Sequence, residues 1–167
     1  MLAMRGDVEA GLAMARRNCE LTERLGDVFS RTLALANLGW TQMAGEDHAA
    51  ALDSLESAER IYLEAMGNRG EMESWRAALR AEALTGVGRH EDAMELASGA
   101  ANVAIERGMR WALPGCLLAL GRARAAAGRE DAREALEDAA AAARETGAQL
   151  MLNSVEEELE ASGTAAR

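Results

Sequence analysis

Residues 79–108 read LRAEALTGVGRHEDAMELASGAANVAIERG, and the way glycine punctuates this stretch decides the fold. Apolar residues recur at helical spacing before Gly86 and Gly88, resume after them, and stop at Gly108. Glycine tolerates the left-handed backbone that closes a helix and lets the chain reverse. The stretch therefore reads as a helix, a tight turn and a second helix running back along the first.

The same punctuation recurs along the chain. Gly26, Gly67, Gly108 and Gly147 close apolar-periodic segments at spacings of 41, 41 and 39 residues, while Gly6, Gly45, Gly88 and Gly128 fall between them at spacings of 39, 43 and 40. Two interleaved series with one period define a two-helix unit. Helices are predicted over 6–24, 27–44, 47–66, 70–86, 89–106, 109–127, 130–146 and 148–161, about eight in all. Each second helix carries two small residues 7 positions apart: Gly11 and Asn18, Ala51 and Ala58, Ala93 and Ala100, Ala132 and Ala139. Seven residues is close to two turns, so each pair lies on one face and offers a shallow groove to a neighbouring helix. The first helices have a matching small position at Gly39, Ala81 and Gly121.

Composition agrees. Among 167 residues there are 38 alanines but one Pro, one Tyr and one Phe, a set rich in helix formers and poor in strand formers. An all-α fold follows. A formal charge of -10 argues against a phosphate-binding surface, so no direct nucleic-acid contact is expected. With no apolar run near the roughly 18 residues of a membrane span, and no apolar signal core in MLAMRGD, the chain reads as cytoplasmic with no membrane contact. All 18 basic residues are Arg, which points to a GC-rich coding sequence and a bacterial origin. Cys19 and Cys116, 97 residues apart inside helices, read as reduced structural thiols.

The arrangement of LG, a turn glycine and a run such as GRHEDAMELASGA resembles the tetratricopeptide repeat from Leu2 to about Leu159. The period of about 40 exceeds the roughly 34 of the standard repeat. Arg80 stands where an apolar residue is usual, and the second helix of the third repeat is one residue short. Longer repeats of this kind resemble those in the C-terminal halves of large bacterial ATP-dependent regulators: LuxR-type, MalT-like and SARP-type activators, and some cyclase-associated proteins. The resemblance implies a superhelical solenoid of antiparallel hairpins forming one domain over 1–162. Its parts would be a partial repeat 1–26, repeats 27–67, 68–108 and 109–147, a capping helix 148–161, and a flexible tail 162–167. MLAMRGD matches the helix ends that enter Gly88 and Gly128, so the sequence reads as starting within a repeat of a longer regulator.

Catalytic chemistry finds no foothold. Without Lys there is no Walker A lysine and no Schiff-base nucleophile. Gly86 and Gly88 begin a dinucleotide-binding pattern, but no strand precedes them. His48 and His90 occupy equivalent places 42 residues apart, and stacked helices about 10 Å apart keep them from sharing a zinc ligated at about 2 Å. The acidic runs in EEELE and GEDH lack the roughly 12-residue calcium-loop spacing. No metal, cofactor or enzymatic activity is expected.

The resemblance places the first helix of each hairpin on a concave surface. Stripes at i, i+4, i+7 and i+11 there read Phe29, Leu33, Ala36, Trp40; Glu71, Trp75, Ala78, Glu82; and Trp111, Gly115, Leu118, Arg122. All three tryptophans fall on them. The candidate groove comprises Leu33, Asn37, Trp40, Trp75, Glu82, Trp111, Leu118 and Arg122, with Arg76 as a further polar contact; the competing reading has the tryptophans filling core gaps between alanine-rich helices. Asn37 matches one Asn of the carboxylate clamp found in standard arrays, but the clamp's lysines are absent, so chaperone-tail binding is not expected. The expected role is a protein-interaction or regulatory scaffold with a protein or peptide partner; the alternative is an effector-sensing domain using the same groove. Self-association through the N-terminal end is also expected, because Leu12, Ala15 and Cys19 lack a preceding helix.

Overall fold

A computed structural model describes residues 7–67, 70 and 72–164. Among them are eight helices: α1 Val8–Leu25, α2 Val28–Ala44, α3 His48–Met66, α4 Glu73–Gly86, α5 His90–Glu106, α6 Leu113–Ala126, α7 Ala132–Thr146 and α8 Gln149–Thr164. Their packing divides into two compact units, Met1–Met72 and Glu73–Arg167. In the first, α2 packs against both α1 and α3; in the second, consecutive helices pack along the chain and α6 also touches α4 and α8.

Helix starts in the first unit are set by aspartates. The carboxylates of Asp7, Asp27 and Asp47 accept from the backbone N–H of Ala10, Ser30 and Ala50 at 3.0, 2.8 and 3.2 Å. Each satisfies one of the amides that a helix start leaves without an intrahelical partner. Most ends follow the glycine reading: Gly26, Gly67 and Gly147 are C-caps with φ of 70°, 67° and 72°.

Gly45 departs from it. Its φ is -95°, and the left-handed residue is Glu46, at φ 61°. The closing bond from Asp47 N to Gln42 O (3.0 Å) matches those from Arg89 N to Leu84 O and from Arg129 N to Arg124 O, both 2.9 Å. Glu46 is therefore the counterpart of Gly88 and Gly128, and the outlying spacing of 43 becomes 42. Gly45 is small for another reason: a Cβ there would lie 3.0 Å from Val8 Cγ1 at the start of α1.

Three further boundaries shift. α4 begins at Glu73 rather than 70. α6 begins at Leu113 rather than 109, because Arg110–Ala112 form a turn and Pro114 sits in the first helical turn, where its missing N–H costs nothing. The backbone expected to be a loose tail from 162 is helical to Thr164; residues 165–167 lie outside the described residues.

The small-residue positions are where helices meet. Ala51, Ala58, Ala93 and Ala139 are fully buried, Ala100 and Ala132 nearly so. A Cβ on Gly39 would lie 2.7 Å from Leu55 Cγ and 3.1 Å from Ala51 O; on Gly121 it would lie 2.6 Å from Leu136 Cδ2. The second hairpin solves the same crossing with Ala81 and Ala97, both fully buried. Where the first helix gives up its side chain the second supplies a Leu, and where it keeps a methyl the second supplies another methyl. Truncating a buried Leu typically costs about 2–5 kcal/mol, so the few deep Leu and Val side chains matter most. In the second unit these include Leu118, Leu136 and Val155, clustered with Ala139 and Ala140.

Candidate interaction surface

The predicted groove residues divide between the two units. In the first, α2 presents Phe29 and Trp40 at 49% and 42% exposure, with Asn37 exposed and Leu33 half-buried on the same helix. A four-residue step from Leu33 to Asn37 and a further three to Trp40 keep them on one face. Ala36 is buried beneath.

In the second unit the stripe is less regular. Trp75 and Glu82 are half-buried on α4, and Trp111, 49% exposed, lies in the turn before α6 rather than on the helix. Leu118 is not a surface residue: it is 5% exposed, packed with Leu136 and Val155. Arg76, expected to offer a polar contact, is 1% exposed and belongs to the interior. Glu71 lies outside the described residues. On α6, Gly115 faces α8: an added Cβ there would rest 3.5 Å from Met151 Cε.

Glu82 and Arg122 do come together. The Arg122 guanidinium donates to Glu82 on α4 at 2.7 Å, and to Glu158 and Ser154 on α8 at 2.6 and 3.0 Å. A further bond runs from Nε to Glu158 at 2.8 Å. Burial works against the charged guanidinium, but the facing carboxylates outweigh it and raise its pKa above the ordinary value. One cation thus clasps α4, α6 and α8. Its donors are committed inside the unit, so it positions helices rather than receiving an anion. Glu158 and Ser154 escaped the sequence reading because EEELE looks like a solvated face, and only the docking of α8 beside α6 turns Glu158 inward.

The remaining chemistry is quiet. The Cys116 thiol donates to the Ser74 carbonyl at 3.4 Å, and burial pushes its pKa up to about 12. Burial also raises Cys19, with Arg31 opposing it. The Nδ1 atoms of His48 and His90 are sheltered at the equivalent starts of α3 and α5 without a hydrogen-bond partner among the described residues. No group of three or more metal-ligating side chains occurs among the described residues, and no described helix is long and apolar enough to cross a membrane.

This arrangement of helical hairpins is shared with solved structures. A putative kinesin light chain from Podosopora anserina, described as having nearly identical TPR-like repeats, and a single-substitution variant of it each superpose with a TM-score of 0.67. Each is 16% identical in sequence, and the alignment covers 99% of this chain and 92% of that one. No protein-family model and no curated protein matches the sequence. The fold is an all-α helical repeat of tetratricopeptide-like hairpins.

Proposed function

We propose that this chain is a non-catalytic protein-interaction module whose first helices receive a protein or peptide partner. The observation that supports it best is the placement of the aromatics. In a chain whose helix crossings are built from Ala and Gly, Trp40 and Trp111 are held 42% and 49% exposed. Tryptophan is among the side chains enriched at the hot spots of protein interfaces. With a net charge of -10, the favoured partner surface is basic, because opposite charge speeds and orients encounter. The likeness to repeat regions of LuxR-type, MalT-like and SARP-type activators supports a regulatory role within a larger bacterial, cytoplasmic protein. Self-association through the N-terminal end belongs to the same reading, since α1 packs only on α2 among the described helices.

The test compares proteins captured by the immobilised chain with those captured by a Trp40→Ala/Trp111→Ala variant. Proteins retained by the first and lost by the second, at unchanged melting temperature, support the reading. Identical captures would refute it.

A second reading has its own observation. A hollow of about 390 Å³ is lined by Met94, Glu95, Ser98, Leu120, Arg124 and Asp131, on α5, α6 and the turn that follows. Its mixture of apolar and charged groups suits a small polar effector, although it is not part of the aromatic surface. A thermal-shift screen tests this, because a ligand of the folded state raises the melting temperature by mass action.

A further inference from the structure

We propose that the hollow beside α5 is a binding site for a small zwitterion, an α-amino acid or dipeptide with an apolar side chain. This deepens the effector reading and rests on it, and it is independent of the aromatic surface.

The hollow has two walls that carry different charges. Glu91, Glu95 and Ser98 line one of them from α5, and their i, i+4, i+7 spacing puts them on one face of that helix. Arg124, near the end of α6, and Arg129, in the turn that follows, line the other. Met94 from the first wall and Leu120 from the second supply the apolar lining.

No ion pair joins the two walls among the described residues. On the α5 side Asp92 is held by Arg89 at 2.6 Å, whereas Glu91 and Glu95 enter no ion pair and no side-chain hydrogen bond. On the other side the only carboxylate beside the two guanidiniums is that of Asp131, 3.6 Å from Arg124 and 3.9 Å from Arg129. Both distances exceed the roughly 2.7–2.9 Å of a charge-assisted hydrogen bond. Arg124 also donates to the Asp131 main-chain carbonyl, at 3.4 Å. Asp131 stands at the N-cap of α7 but, unlike Asp7, Asp27 and Asp47, makes no capping bond. Its Oδ1 is sheltered from solvent and has no hydrogen-bond partner.

Two carboxylates without a cation therefore face two guanidiniums that share one acid. A ligand with a positive charge alone leaves the guanidinium wall unanswered, and one with a negative charge alone meets repulsion from Glu91 and Glu95. An ammonium and a carboxylate in one short molecule satisfy both walls, and the unpaired charge selects against a half-matched ligand. The ammonium donates to Glu91 and Glu95, the ligand carboxylate accepts from Arg124 and Arg129, and Met94 and Leu120 cover the apolar side chain. At about 390 Å³, the hollow lies at the small end of the roughly 300–1,000 Å³ of small-molecule sites. That size suits one or two amino acids.

Isothermal titration calorimetry on the whole chain at low ionic strength tests this, with leucine and leucylleucine as zwitterions, isopentylamine as the amine alone and isocaproate as the acid alone. At least one zwitterion should bind, and the tighter of the two fixes the ligand's length. The amine and the acid should each bind about tenfold more weakly or worse, as expected when a hydrogen bond to a charged group is lost. Glu95→Gln and Arg129→Gln should each weaken the zwitterion by a similar factor. Both side chains are exposed, so the melting temperature of the free protein should not move. Arg133→Gln, in the exposed pair with Glu137 on α7, changes the net charge outside the hollow and should bind normally.

An amine that binds as tightly as leucine, or an acid that does, would overturn the proposal, as would undiminished binding by Glu95→Gln and Arg129→Gln. Failure of both zwitterions at millimolar concentration would overturn it too. If a compound of another charge type from the thermal-shift screen then binds and is lost with Glu95→Gln, the effector reading stands without its zwitterion; if none binds, both fall.

Discussion

Replacing Gly121 with Ala should destabilise the second unit, although Gly→Ala within a helix ordinarily stabilises by about 0.8–1 kcal/mol. The new Cβ would lie 2.6 and 2.8 Å from Leu136 Cδ2 and Cγ, and 3.2 Å from Leu136 N. Leu136 is 3% exposed, and its backbone belongs to α7, so neither can yield without disturbing the core cluster. Overpacking of this kind costs about 1–3 kcal/mol, which leaves a net loss of up to about 2 kcal/mol once the helix-propensity gain is subtracted. Leu136→Ala alone should cost about 2–5 kcal/mol through the cavity it leaves. In that background the side-chain clash is gone and only the 3.2 Å approach to the backbone N of residue 136 remains, so Gly121→Ala should become neutral or stabilising by up to about 1 kcal/mol, re-creating the Ala81 and Ala97 solution of the neighbouring hairpin. Urea unfolding followed by circular dichroism on the four proteins measures the cycle. Gly115→Ala is the control, because its Cβ would meet only Met151 Cε at 3.5 Å, and it should stabilise slightly. If Gly121→Ala stabilises in both backgrounds, helices α6 and α7 do not cross at this point.

Glu46→Gly should stabilise by about 0.5–1 kcal/mol, the left-handed strain relieved less the extra chain entropy of Gly; a loss of stability would show that Glu46 is not at φ 61°. Cys116 should resist alkylation in the native state while Cys19, half-buried, reacts, and equal rates would contradict the packing. With burial raising the Cys116 pKa from the 9.0 of an exposed thiol to about 12, the neutral thiol's stabilising contribution should be complete below pH 9.0 and decline as pH rises toward 12. Asp27 runs the other way: hydrogen bonding from Ser30 lowers its pKa below 3.8, so its cap should hold above that pH and fail as acid protonates it, a dependence that Asp27→Asn should remove from the acid denaturation curve. Acrylamide should quench Trp40 and Trp111 more readily than Trp75 in single-tryptophan variants; uniform protection would remove the aromatic surface.

The repeat was legible because its signals are local. Glycine at a helix end, and alanine where helices cross, act through the backbone geometry of their own few residues, and so the number and order of helices could be read directly. Pro114 also marked the start of α6, but the apolar period running from Trp111 masked it. Glu46 was illegible because nothing in a glutamate side chain announces a positive φ; the neighbouring Gly45 took the credit. Arg122 could be found as a stripe residue, but its role depends on Glu158, which becomes a partner only once α8 lies beside α6. Leu118 and Arg76 failed for a related reason. A stripe drawn along one helix does not say how far the next helix overlaps it, and that overlap decides what stays exposed.

The crossings at Gly39, Ala81 and Gly121 also bear on how such a chain finds its own order. Its alanine-rich helices resemble one another enough that a folding chain could place α5 at the crossing that α7 makes with α6, or α7 at the crossing that α5 makes with α4. The first mispairing would set Ala97 against Gly121 and leave an unfilled gap; the second would drive Leu136 into the methyl of Ala81. Alternating the volumes gives each hairpin an address that its neighbours lack, so exchanging α5 and α7 should yield a chain that collapses readily but settles poorly.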